Sequence, residues 1–264
     1  VKDGLTELAF KIRDYCGIDF TGNLASLELK AARRLVKLGL KIEEYGPFLQ
    51  KEPKEWDKLV ENITINETYF FREFNQLEEF QNLLKKKTGQ QINVWCIPCS
   101  TGDEAYSLAI LAKEIELSTG NRVRIVASDL NKKVLDHAKN GFYPKNSLSF
   151  RRIPEHREYI KKYFIETELG YEVKKEIKQM ISFEPFNLTD YHAYAKYSQM
   201  DFIFCRNVLF YFNEEITKQI IRSFYSILKN NGTLFLGHAE SISNFNSKFL
   251  PIHTKDTFYY TKKE

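Results

Sequence analysis

An acid ending a strand, the small-residue turn before it, and two asparagine-bearing loops further on are the residues here whose types and spacing could do chemistry. Ile92-Asn93-Val94-Trp95-Cys96 is a short apolar run, and Cys99-Ser100-Thr101-Gly102-Asp103-Glu104 after it cannot easily continue a strand. Ala105, Leu108, Ala109, Ala112 and Ile115 then share one helical face, and residues 123–128 form a second strand with Asp129 at its end. A turn of small residues lets a ligand approach the backbone, and an acid after the second strand can accept the ribose hydroxyls of a nucleoside. The turn has one glycine where a dinucleotide fingerprint has three, and a plain strand-to-helix turn capped by Asp103 explains it equally well. Asp129 is what raises the nucleoside reading.

Three further stretches carry groups that could meet a ligand. Asn66-Glu67-Thr68-Tyr69-Phe70-Phe71-Arg72 joins a helical region to the strand-and-helix region. Packing between domains accounts for its aromatics but not for Arg72, and pockets often form at such junctions. Phe186-Asn187-Leu188 and Arg206-Asn207-Val208-Leu209-Phe210-Tyr211 each follow a strand, where open α/β sheets bind ligands; helix capping or core packing is the alternative for each. Trp95-Cys96-Ile97-Pro98-Cys99 has the local pattern of a thioredoxin-like redox pair. The helix it would need starts only after Gly102, so strand-end packing is the favoured reading. A zinc site would require two more ligands, and neither a second CxxC nor a close His pair is present. No Ser-His-Asp or Cys-His constellation stands among these motifs.

The elements that must position these groups fall into two regions. Leu5, Leu8, Ile12 and Tyr15, then Leu24, Leu27, Ala31, Leu35 and Leu38, follow a helical period, with Gly39 and Gly46-Pro47 as punctuation and a further helix starting near Trp56. A helix over about residues 73–87 follows, and strands and helices alternate from Ile92 onward. The short aromatic pieces between Tyr159 and Phe186 around Gly170 predict a hairpin-like insertion. The strand Asp201-Phe202-Ile203-Phe204-Cys205 precedes a helix capped by Asn213, with Ile216, Ile220, Phe224 and Leu228 facing inward. Asn230-Asn231-Gly232 is expected to stop that helix, Thr233 to open the next strand, and residues 257–260 to form the last.

At 264 residues, 43% hydrophobic and 28% charged, the chain is long enough for one large domain or two modest ones and has a real core. No apolar run approaches the roughly 20 residues of a membrane helix. The chain begins at Val1 without an initiator Met, which reads as a trimmed chain or fragment, and has no signal-peptide apolar region; the expected compartment is the cytoplasm. A net charge of +4 does not by itself imply nucleic acid. Lys30, Arg33, Arg34, Lys37 and Lys41 cluster on one helical segment, either a solvated face or a docking surface for an acidic partner. Four cysteines do not make a disulfide framework at this length.

Taken together, residues 66–72, the Cys99-Ser100-Thr101-Gly102-Asp103-Glu104 turn with Tyr106-Ser107, Cys205-Arg206-Asn207-Val208-Leu209-Phe210-Tyr211-Phe212 and Gly237-His238-Ala239-Glu240-Ser241 resemble the chemotaxis receptor glutamate methyltransferases, the CheR family, over nearly the whole chain. The resemblance implies an α/β protein: an N-terminal all-helical domain with its linker over residues 1–72, and a mixed seven-stranded Rossmann-like methyltransferase domain over 73–264 with an antiparallel β insertion at about 158–180. It implies S-adenosylmethionine as cofactor and S-adenosylhomocysteine as product. The cofactor contacts fall on Asn66, Thr68, Arg72, Glu104, Asp129, Asn187, Leu188, Asn207 and Val208, and the catalytic pair on Arg72 and Tyr211, with no metal. The implied partners are cytoplasmic domains of methyl-accepting receptors, met through Lys30, Arg33, Arg34 and Lys37, with no nucleic acid and no membrane insertion. Ala105 stands where the family usually has Pro, Asp103 where it has Glu, and Ile97-Pro98 where small residues precede the turn. The Glu168-Leu169-Gly170-Tyr171 turn lacks the extra glycines of members that bind a receptor tail. A methyltransferase of the same fold with another protein substrate, and a non-catalytic cofactor-binding signalling module, are the alternatives.

Overall fold

The computed structural model describes residues 2–263 apart from 152 and 246. Helices α1 (Lys2–Cys16), α2 (Leu24–Leu38), α3 (Ile42–Lys51) and α4 (Glu55–Ile63) bury their periodic apolar residues against one another, with Leu8, Ile12, Leu27, Tyr45 and Leu59 at the centre. Asn23 caps α2 by accepting from the Ser26 amide at 3.1 Å, and Gly39 ends it in the left-handed conformation. Gly46-Pro47 does not punctuate the chain as expected: both residues lie inside α3. A Cβ on Gly46 would come within 2.9 Å of the Lys11 side chain, so the glycine lets α3 lie close on α1. Pro47 costs the helix about 3 kcal/mol. Burial of Ile42, Tyr45 and Leu49 at roughly 1.5–3 kcal/mol each outweighs that.

The cluster of basic residues on α2 is also corrected. Arg34 is buried and forks onto Glu55, Nε to Oε1 at 2.7 Å and Nη2 to Oε2 at 2.6 Å, while the Tyr45 hydroxyl donates to the same carboxylate at 2.8 Å. It ties α2 to α4 and is not available to a partner. Arg33, Lys37 and Lys41 remain exposed and Lys30 half-buried.

Beyond the connection at residues 64–73 come α5 (Phe74–Lys85), β1 (Gln91–Cys96), α6 (Asp103–Thr119), β2 (Arg122–Asp129), α7 (Lys132–Asn140), β3 (Phe142–Pro144), α8 (Ile153–Tyr163), β4 (Phe164–Glu166), β5 (Gly170–Val173), α9 (Lys175–Lys178), β6 (Ile181–Pro185), β7 (Met200–Cys205), α10 (Glu214–Ile227), β8 (Leu228–Leu236), β9 (Phe249–His253) and β10 (Phe258–Lys262). Seven strands form one sheet in the order β6-β2-β1-β7-β8-β10-β9, parallel from β6 to β8, with β10 antiparallel to both its neighbours. The chain steps outward from β1 through β2 to β6, then returns to β7 on the other side of β1. At that reversal the connections diverge and leave a crevice at the carboxyl ends of the strands.

The insertion differs from expectation. Residues 159–163 are the last turns of α8, β4 and β5 make the hairpin, and β3, from before the expected boundaries, adds the third strand. Residues 181–183 belong to β6 in the main sheet. Short aromatic runs fit both periods, so their spacing could not decide between helix and strand. Similarly, α10 stops at Ile227, and Asn230-Asn231-Gly232 lies within β8 at a register shift, with Asn231 at φ 62°. Leu228 is therefore a buried strand residue. No described helix is long and apolar enough to cross a membrane.

Candidate functional site: a crevice at the carboxyl ends of the strands

Where β1, β2, β6 and β7 end, a cavity of about 940 Å³ including its mouth opens between the sheet and the helical region. Asn66, Thr68, Arg72, Glu104, Asp129, Asn187, Leu188, Asn207, Val208 and Tyr211 all line it. The site residues expected from the sequence, spread over most of the chain, meet at one place.

Asp129 ends β2 with both oxygens engaged: Oδ2 accepts from the Ser100 amide at 2.8 Å and Oδ1 from the Asn131 amide at 2.9 Å. Each oxygen keeps a lone pair for a further donor. Burial pushes its carboxyl up to about 6, against the lowering effect of the backbone amides of Asn131, Ser100 and Leu130. Two hydroxyl donors from a ribose would favour the ionised form and drive that proton off. Affinity for a nucleoside bound there is therefore expected to be level near pH 7.5 and to weaken below pH 6, approaching tenfold per unit. Titration calorimetry across pH 5–8 checks this, and a wild-type profile as flat as that of Asp129→Asn would refute it. In the free protein the sign is opposite. A carboxyl raised above its unfolded value of about 3.9 favours the folded state at low pH, and this contribution is lost as pH climbs from about 4 through 6.

Glu104, in the first turn of α6, is buried and paired with Arg206. Arg206 follows β7 with its side chain almost wholly buried; Nη2 donates to Glu73 Oε2 at 2.8 Å and to the Arg72 carbonyl at 2.9 Å, and Nε has no partner. Burial acts to raise the Glu73 carboxyl, but the charge and hydrogen bond of Arg206 outweigh it and hold it below its ordinary value. This Glu73–Arg206–Glu104 cluster fixes the backbone from which Arg72 projects.

The aromatics of residues 66–72 complete that support. The Phe70 ring stacks on Phe150 at 5.2 Å and meets Phe164 edge-on at 5.1 Å, and the Phe71 amide donates to Ser107 Oγ at 2.9 Å. Phe71 and Glu73 have φ of 60° and 53°, a left-handed backbone that bulky residues adopt only under constraint. Arg72 is thereby turned into the cavity, with Nη1 on the Glu67 carbonyl at 3.1 Å and the guanidinium 5.7 Å from the Tyr69 ring centre. Tyr211, also on the cavity wall, sits in a short 3₁₀ turn, Leu209–Tyr211, whose last carbonyl accepts from the Asp19 amide at 2.9 Å. Burial raises its phenol above the ordinary value, and the charge of Arg72 acts in the opposite direction.

The remaining lining residues join the two regions. Asn187 donates to the Tyr15 carbonyl at 2.6 Å and accepts from Thr189. Asn66 donates to Thr64 Oγ1 at 3.1 Å, and its carbonyl accepts from Ser100 Oγ at 2.9 Å. Leu188, Val208, Ile97 and Pro98 supply apolar walls. Ser100, Arg206 and Glu240 stand within the sequence motifs, but sequence alone assigns no role to them individually. A charged residue straight after the all-buried β7 had to be paired, and that was the available signal for Arg206. Burial first, and then the Glu104 charge, push the Cys96 thiol well above its ordinary value; burial and Asp129 do the same for Cys99. A redox cysteine needs the reverse.

The cavity is lined by the carboxylates of Asp129, at the end of β2, and Glu104, in the first turn of α6, by apolar walls, and by Arg72 and the paired Arg206. This donor set fits a nucleoside bearing a positively charged sulfonium and ammonium together with a carboxylate. Such a site on this sheet defines an S-adenosylmethionine-dependent methyltransferase. Residues 66–258 match the CheR methyltransferase, SAM binding domain family. The chain is 34% identical over 220 residues to chemotaxis protein methyltransferase 2 of Vibrio cholerae serotype O1, covering 80% of this chain and 75% of that protein. It is 33% identical over 257 residues to the chemotaxis protein methyltransferase of Borreliella burgdorferi (91% and 89%) and 31% over 229 residues to that of Escherichia coli K12 (83% and 77%). The chain belongs to the CheR methyltransferase family.

Proposed function

We propose that the protein methylates glutamate side chains on the cytoplasmic domains of chemotaxis receptors, in the cytoplasm, forming methyl esters. The observation that carries this reading is that Arg72 and Tyr211, from chain segments far apart in sequence, line one cavity together with Asp129 and Glu104. Residues 1–72 are a helical recognition domain, with Lys30, Arg33 and Lys37 on the face offered to an acidic partner, and the linker that brings Asn66, Thr68 and Arg72 to the site; residues 73–264 are the methyltransferase domain.

When bound, S-adenosylmethionine supplies an electrophilic methyl on a sulfonium. Asp129 would take the ribose hydroxyls, Asn66, Thr68, Asn187 and Asn207 would contribute polar contacts, and Leu188 and Val208 would flank the base or the thioether chain. A glutamate with a pKa near ~4.3 is already ionised at pH 7, so no general base is required. Transfer destroys charge, since an anion and a cation become an ester and a thioether. A clamp on the carboxylate therefore does not gain strength as the reaction proceeds, and Arg72 acts by orientation more than by transition-state charge. Its fork fixes the plane of the carboxylate, and the Tyr211 hydroxyl holds one oxygen so that the other points at the methyl.

The test is transfer of labelled methyl from S-adenosylmethionine to receptor cytoplasmic fragments. Label lost as methanol in mild base supports the reading. Base-stable label would mean methylation of nitrogen, and no transfer would leave a cofactor-binding module.

A further inference from the structure

The loops that follow β7 and β8 leave the sheet side by side, because Cys205 pairs with Leu236 at the ends of those strands. Four backbone N–H groups from the two loops converge on the carboxylate of Glu240. Asn207 and Gly237 donate to Oε2, and Val208 and Leu209 to Oε1, each at 2.7 Å. Asn207 has φ 60°, and this left-handed residue turns the successive amides of 207, 208 and 209 toward one point, the geometry of an anion-binding nest. Gly237 is required beside it: a Cβ there would lie 2.8 Å from Glu240 Oε2 and 3.0 Å from the Asn207 nitrogen. The nest is filled by the chain's own carboxylate, which is buried and is not among the residues lining the cavity.

The consequence reaches the cavity through two backbone links. The carbonyl of Val208, whose amide Glu240 holds, accepts from the Tyr211 amide at 3.0 Å, and the carbonyl of Leu209 accepts from Phe212 at 3.1 Å. Without the carboxylate, four closely spaced donors would face one another with no acceptor. The left-handed Asn207 would then have nothing to hold it, and the turn carrying Tyr211 would relax. We propose that Glu240 is a positioning residue for methyl transfer, whose carboxylate locks residues 207–211 so that the Tyr211 hydroxyl meets the reacting carboxylate. This rests on the catalytic role proposed above for Tyr211.

A double-mutant cycle tests it, with rates expressed per folded molecule from circular dichroism at the assay temperature. Glu240→Gln keeps the side-chain volume but turns one acceptor into a donor facing two N–H groups. It is expected to lower kcat at least about tenfold, as a small misplacement of a reacting group does. With S-adenosylmethionine saturating, so that loosened contacts at Asn207 or Val208 fall on KM, the same change in a Tyr211→Phe background is expected to cost less than about threefold in kcat, because the reacting group that Glu240 positions is already gone. Equal losses in both backgrounds, or no loss in the first, would overturn the proposal while leaving the methyltransferase reading intact. A wild-type protein that transfers no methyl to receptor fragments would overturn both. Should Glu240→Gln fail to fold, Gly237→Ala, whose methyl presses on the same carboxylate oxygen, takes its place in the cycle with the same expected outcomes.

Discussion

Replacing Arg72 with Ala is expected to lower kcat by roughly a hundredfold or more while weakening S-adenosylhomocysteine binding less than about threefold. The asymmetry follows from what holds the residue. Arg72 lines the cavity, but its described contacts are the Glu67 carbonyl, the Tyr69 ring and a distant Glu73 oxygen. None of these touches Asp129 or the Ser100 and Asn131 amides that hold it. Removing the guanidinium therefore leaves the cofactor's main contacts in place and frees the incoming carboxylate to rotate. Lysine should recover little, since a single ammonium does not fix a carboxylate plane. Single-turnover rates beside calorimetric dissociation constants separate the two effects. Equal losses in rate and affinity would make Arg72 a binding residue only.

Arg206→Met is expected to produce the largest loss of stability, about 3–5 kcal/mol, lowering the unfolding midpoint by roughly 10 °C. The guanidinium sits between Glu73 and Glu104, with its side chain 1% exposed, so its removal strands two carboxylates of one sign inside the protein. Exposed pairs such as Lys161–Glu158 give a scale for comparison, and breaking them should shift the midpoint barely at all. Replacing Glu73 and Glu104 with apolar residues in the Arg206→Met background should restore much of the stability but not methyl transfer, because the Arg72 carbonyl would still lack its donor. Thermal unfolding followed by circular dichroism checks both. A midpoint within about 2 °C of wild type for Arg206→Met would mean that the cluster is solvated and not the support described.

Much of this site was legible because α/β periodicity and ligand chemistry point to the same residues. The buried β1, the small-residue turn, the buried face of α6 and the acid ending β2 are local features that fix one another. Motif resemblance then supplied Arg72 and Tyr211, whose convergence depends on the crossover from β6 back to β7, a tertiary fact that no local pattern reveals. What was not legible has the same cause. Arg34 reads as one of a row of basic residues until Glu55 of the next helix is brought against it. Glu240 belongs to the 237–241 motif, but nothing local says what its carboxylate holds until two loops converge on it. Strand β3 has three residues and pairs with β5 across α8, so its sequence has too little alternation to announce it. Pro47 marks a break by propensity, yet the packing of α3 on α1 overrides it.

In the proposed mechanism, one cavity holds the cofactor with its reactive methyl between Arg72 and Tyr211. A crystal structure with S-adenosylhomocysteine tests this most directly. The expected result places the ribose hydroxyls on Asp129 and the thioether sulfur facing the gap between the Arg72 guanidinium and the Tyr211 hydroxyl. A ribose bound elsewhere, or a sulfur turned away from that gap, would contradict it.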